Sequence, residues 1–215
     1  GGNASATLNN SGTIDVAAIA NAVGGEDVFA AAFVADGVNQ GALGGTSGTA
    51  VASLVNTGPL TVNAIANATG GGEGTALAHA MGVSQGASAG AGASALVSNT
   101  DAISVAASAN VIVGNAAHRG DFAFASASAG GINQSAHGKS GLAVTSATTF
   151  TQAFTAGAVT SNVLTSVAFN ATATGAFTAS GPSLSKITNS GSLNVLAHAS
   201  ASGGAGAIAI ANAHA

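Results

Sequence analysis

The sequence predicts an all-β fold, a β-solenoid in which one repeat array stacks on itself through parallel strands. Three observations predict it. A turn-and-strand element recurs along the 215-residue chain. A second, independent signature recurs in the same order and at the same separation. Between the turns, residues alternate with period two, which is the strand signal.

The first element is Asn10-Ser11-Gly12 followed by the alternating stretch 14–22. It returns as Asn56-Thr57-Gly58 before 60–68, as Asn99-Thr100-Asp101 before 103–109, and as Asn189-Ser190-Gly191 before 193–199. The second signature is Gly37-Val38-Asn39-Gln40, then Gly82-Val83-Ser84-Gln85, then Gly131-Ile132-Asn133-Gln134. Successive first elements are about 45 residues apart, the last two by about twice that, a period typical of solenoid arrays. The chain therefore reads as one array over 1–215, with about five degenerate repeats of ~45 residues.

Taken in order, residues 1–8 resemble 48–54 and 92–96, so the chain starts inside a repeat. At the Asn10-Ser11-Gly12 turn, glycine permits tight geometry, and Asn and Ser can bond their own backbone. In 14–22 the even positions are Ile14, Val16, Ala18, Ala20 and Ala22, and the odd ones include Asp15, Ile19 and Asn21. A helix competes here, because alanine is the best helix former. Recurrent glycine, the Asn/Ser/Thr of the alternate face and fixed turns about nine residues apart argue against it. Gly24-Gly25-Glu26-Asp27 is the next turn, and 28–35 is a second strand leading into Gly37-Val38-Asn39-Gln40.

The fourth unit, 148–185, is degenerate. It keeps alternation in 167–175 but has no clear Gly-Val-x-Gln, and it holds Phe150, Phe154, Phe169 and Phe177. A change of cross-section or a partner surface is expected there. The fifth unit runs out at 207–215, where a Gly-Val-x-Gln would follow. The array thus reads as a segment of a longer assembly, or as a subunit whose ends complete each other and polymerise head to tail. Each period contains two similar halves of about 22 residues, which predicts two coils per repeat; one wide coil is the alternative.

The predicted inward columns are Val16, Val62, Val105, Val195, then Ala18, Ala64, Ala107, Ala197, then Ala20, Ala66, Ala109, Ala199. Small residues let opposing sheets approach closely. Gln40, Gln85 and Gln134 form an aligned polar column, expected to be an amide ladder that fixes register rather than a ligand surface.

Composition bounds the function. Charged residues make up 5% of the chain and hydrophobic ones 47%, so it should collapse rather than stay disordered. Arg119, Lys139 and Lys186 are too few and too scattered to neutralise nucleic-acid phosphates. The absence of cysteine removes disulfides and thiolate metal sites. No stretch reaches the ~18 uninterrupted apolar residues of a membrane helix. A surface so poor in charge suggests cover by another copy or a flanking segment.

The asparagine turn with its alternating strand resembles the repeats of bacterial Ala/Gly-rich β-solenoid surface proteins, autotransporter passengers and filamentous-haemagglutinin-like adhesins. The resemblance covers most of the chain. It implies a right-handed β-helix, secretion to the cell surface, and a role in adhesion, biofilm matrix or surface filaments. It carries no catalytic motif.

No catalytic, cofactor-binding or metal-binding residue is assigned. His79, His118, His137, His198 and His214 lack the convergent ligand set a metal needs and read as surface histidines. His79 and His214 are expected at the same place in the repeat. Gly24-Gly25-Glu26-Asp27 and Gly70-Gly71-Gly72-Glu73-Gly74 resemble calcium-binding turns, yet carry at most two carboxylates each and read as plain turns. Gly90-Ala91-Gly92 lacks the lysine of a phosphate loop. Ten acidic and basic residues in all leave too little for an enzyme groove. The expected function is a non-catalytic structural solenoid of a surface filament, matrix or adhesin stalk, self-associating end to end with cell-surface or carbohydrate contact. The alternative is an ice- or carbohydrate-binding module, which needs a flat, regular Thr or aromatic array on one face; Thr172-Ala173-Thr174 is the only short Thr-x-Thr run near a strand.

Overall fold

The computed structural model describes residues 1–114, 121–138, 140–147, 151–158, 163–168, 174–175, 182–204 and 206–214, with backbone alone from 140 to 182. It is all-β, with no helix among the described residues. The described strands group into five passes. The first gives β1 (Ala4–Asn10), β2 (Ile14–Val23), β3 (Val28–Val34) and β4 (Val38–Leu43). The second gives β5 (Thr49–Asn56), β6 (Leu60–Gly70) and β7 (Gly74–Ser88); the third gives β8 (Gly92–Asn99), β9 (Ile103–Val113) and β10 (Phe122–Gly138). The fourth gives β11 (Ser140–Ala147), β12 (Thr151–Ala158), β13 (Val163–Ala168) and β14 (Thr174–Gly175), and the fifth β15 (Pro182–Asn189), β16 (Leu193–Ser202) and β17 (Gly206–His214).

Each pass contributes a strand to each of three parallel sheets. The first sheet runs β1-β5-β8-β15-β11 and the second β2-β6-β9-β16-β12. The third runs β3-β7-β10-β17-β13, with β4 on β7 and β14 on β10. Along the main path of each sheet the fifth pass lies between the third and the fourth, while β14 of the fourth pass pairs β10 of the third directly. The register gives a reason. β15 and β16 set Asn189 against Asn99 and Val195 against Val105, continuing both columns, whereas the fourth pass sets Ala147 against Asn189 and Gln152 against Val195.

Strands return at the full period. Asn21 bonds Asn67 across 46 residues and Asn67 bonds Asn110 across 43. The half-period reading with two coils per repeat is thereby corrected. The two halves look alike because they face each other across the core instead of stacking. The core joins buried residues of β6 and β9 to those of β7 and β10. Inward columns fall where the alternation puts them: Ala64, Ala107, Ala197, Val62, Val105 and Val195 are buried, and Ile65 on the opposite face is half-buried. Leu60, Ile103 and Leu193 are the bulky members, each contributing about 1.5–3 kcal/mol by burial. A second core between the first sheet and the ends of β4, β7 and β10 is alanine throughout. Its members each remove little apolar area from water, so packing there relies on close approach and on the strand hydrogen bonds.

Both signatures acquire a structural meaning. In β7, inward positions are even up to Gly82 and odd from Val83, so the strand bends and its facing inverts. Gly82 is glycine because a Cβ there would lie 2.7 Å from Val105 Cγ2 and 2.6 Å from the Gly131 carbonyl oxygen. Gly37 likewise leaves room for Val62. The second signature is therefore a kink, a buried aliphatic and an inward amide.

The asparagines of the first element do more than turn the chain. Asn10 Nδ2 donates to Asn56 Oδ1 at 2.7 Å, and Asn99 Nδ2 donates to Asn189 Oδ1 at 2.6 Å, all four side chains being buried. Asn99 and Asn189 also donate to the carbonyls of Asp101 and Gly191 at 2.6 and 3.0 Å. Phe150, Phe169, Phe177 and the Thr172-Ala173 pair lie outside the described residues, and Phe154 is described by its backbone in β12.

Candidate functional site: an open strand edge and an acidic cleft

The glutamine column is a buried ladder, as its repetition suggests. Gln85 hydrogen-bonds Gln40, and Gln134 Nε2 donates to Gln85 Oε1 at 2.8 Å. Gln40 Nε2 donates to the Ser53 carbonyl at 3.2 Å, and Ser185 Oγ donates to Gln134 Oε1 at 3.1 Å. The ladder ties the third sheet to the first and presents no amide to a ligand. A further ladder, Asn21-Asn67-Asn110, runs along the outer face of the second sheet with bonds of 2.8 and 2.9 Å.

The described histidines do not converge. His79 pairs with Ser128 and His214 with Gly130, so the two stand two residues apart in register on the third sheet, correcting their expected equivalence. His198 lies on the second sheet and His137 is exposed near the end of β10. His118, Arg119 and Lys139 lie outside the described residues.

Two features remain as surfaces with chemical character. One is the free edge of the first pass. β1, β2, β3 and β4 are each paired on one side only. Val23 is 86% exposed and Leu43 82%, with Ile19, Phe29 and Phe33 also exposed. Core positions Leu8, Ile14 and Val16 are partly buried, and among the described residues no strand pairs with the far side of β1 or β2. Sheet edges are commonly blunted by lysine or proline; the first pass carries neither.

The other is the turn between the second and third sheets. Gly24 N–H donates to the Thr69 carbonyl at 3.0 Å, Gly72 N–H to Glu26 at 3.1 Å, and Gly114 N–H to Gly70 at 3.1 Å, so the turns stack. Stacking brings Glu26, Asp27 and Asp121 to one open cleft of about 650 Å³, floored by the backbone of Gly25, Gly70, Gly71, Gly72 and Gly114. Glu73 N–H donates to Asp27 Oδ1 at 3.3 Å. Sequence reasoning saw the first two turns separately. It missed Asp121, which stands in no recognisable turn motif and reaches the cleft only because the passes stack.

Compared with protein-family models, curated proteins and solved structures, the chain matches none.

Proposed function

We propose that the chain is a non-catalytic β-solenoid, right-handed by its resemblance to bacterial surface repeat proteins, that forms part of an extracellular filament, matrix or adhesin stalk. The observation that carries this reading is the stacking of full-period passes into three parallel sheets, with amide ladders repeating along the stack. Stacked parallel strands extend by one more coil through the same backbone hydrogen bonds. Adding a translated copy gives an open, growing contact rather than a closed ring. The buried amide ladders support the same reading, since they fix register between stacked passes and would do so again across a junction.

Fibre diffraction and electron microscopy of the concentrated chain test it. The expected result is rods with a ~4.8 Å repeat along the axis, the spacing of hydrogen-bonded strands. A monodisperse monomer at millimolar concentration overturns self-assembly.

A further inference from the structure

Asp121 is 6% exposed, and its Oδ2 is buried without a hydrogen-bond partner. Buried carboxylates are ordinarily paired, hydrogen-bonded or bound to a metal. Among the described residues the lining of the cleft holds no basic side chain. We infer that the cleft binds a hard divalent cation of the calcium class, held between Asp121 and Glu26 above the bare backbone of Gly72.

The register supplies the geometry. Val28, Gly74 and Ala123 are aligned across β3, β7 and β10. Two residues earlier, Glu26, Gly72 and Asp121 occupy the same turn position in consecutive passes. At one strand spacing per pass, the two acidic positions are about 9.6 Å apart with a glycine between them. The Asp121 carboxylate lies against Gly114, itself part of the cleft lining, and calcium–oxygen contacts of about 2.3–2.6 Å fit within the gap. Gly72 keeps the gap open: a Cβ there would lie 3.2 Å from Asp27 Oδ1 and from the Glu26 carbonyl. Asp27, fixed by the Glu73 N–H, adds a third carboxylate to the wall.

The donor set selects the ion. Among the described residues the side-chain donors of the cleft are carboxylates, which favour a hard cation over zinc or copper. Among the described residues no three acidic or histidine side chains already converge at ligand distance. A cation there would therefore draw its remaining ligands from carbonyls and water. Calcium accepts such a flexible shell, whereas magnesium demands near-ideal octahedral geometry.

Calorimetric titration of calcium chloride into the chelator-treated chain tests the inference, alongside its melting temperature with and without the ion. One calcium per chain is expected, with a Kd on the order of 10⁻⁴ to 10⁻³ M as in other extracellular sites, and a higher Tm when bound. Asp121→Asn should abolish both signals, and Glu26→Gln should weaken binding about tenfold or more. Asp36→Asn, at a half-buried carboxylate outside the cleft that accepts from Asn39 Nδ2, should change neither. A purely structural Asp121 would shift the melt of the ion-free chain and leave calcium uptake alone. No uptake at millimolar calcium, or equal uptake by the Asp121→Asn chain, overturns the proposal. If that variant does not fold, unchanged uptake by Glu26→Gln overturns it instead.

Discussion

Asn56 Nδ2 donates to Asn99 Oδ1 at 2.6 Å, with both side chains 1% exposed and 43 residues apart in the chain. This bond lies in the middle of a four-asparagine ladder, so removing one member leaves partners on both sides. Asn56→Ala should strand the Asn10 donor and the Asn99 acceptor, costing about 1–3 kcal/mol for each buried group left unpaired. Urea unfolding would show it as a lowered midpoint. A loss below about 0.5 kcal/mol, the range of neutral surface changes, would mean that the ladder contributes nothing to stability.

The kink at Gly82 yields a coupling test. Gly82→Ala should cost about 1–3 kcal/mol through overpacking against Val105 and the Gly131 carbonyl. Val105→Ala should recover part of that cost in the double variant, because the two sites share one space. Strict additivity in a double-mutant cycle would show that Gly82 is needed for the bend alone.

Facing can be checked on neighbouring residues. Ala64 is fully buried and Ile65 points to the outer face. Ala64→Leu should destabilise by about 1–3 kcal/mol, and Ile65→Thr by clearly less. The reverse order in thermal melts would invert the face assigned to β6.

The proposed stacking of copies through the first pass predicts separation of assembly from stability. Ile19→Lys with Val23→Lys places charge at two exposed positions of β2. Stability should change by no more than about 0.5 kcal/mol per site, while sedimentation should show loss of high-mass species. Assembly at the wild-type level would move the proposed contact away from this edge.

Much of this architecture is legible in the sequence, and its limits have physical causes. Alternation with period two reports which side chains share a face, so the inward Val and Ala columns and the Gln ladder could be read directly. It does not report how far the chain travels before it returns to a strand, so half-periods that face each other look like half-periods that stack. Asn56 and Asn99 pass for turn residues because Asn suits turns; only their stacking shows the side chains turned inward. His214 is placed two residues from the His79 column because glycine-rich stretches offer few markers from which to count. Asp121 gains its surroundings from Gly114 of its own pass and from turns of other passes, and composition offers no hint of them.

Pairing at full-period separation also determines how the molecule would carry load. Hydrogen bonds between passes point along the stacking direction in all three sheets. A pull applied evenly across the stack strains them together and must break a whole layer at once. A pull applied through the chain itself meets them a few at a time and peels one pass from its neighbour. Each pass of about 45 residues then releases roughly 150 Å of extended chain, at ~3.4 Å per residue. The same bonds that would make the stack stiff to broad tension would let it give way in long, discrete steps when gripped by a single thread.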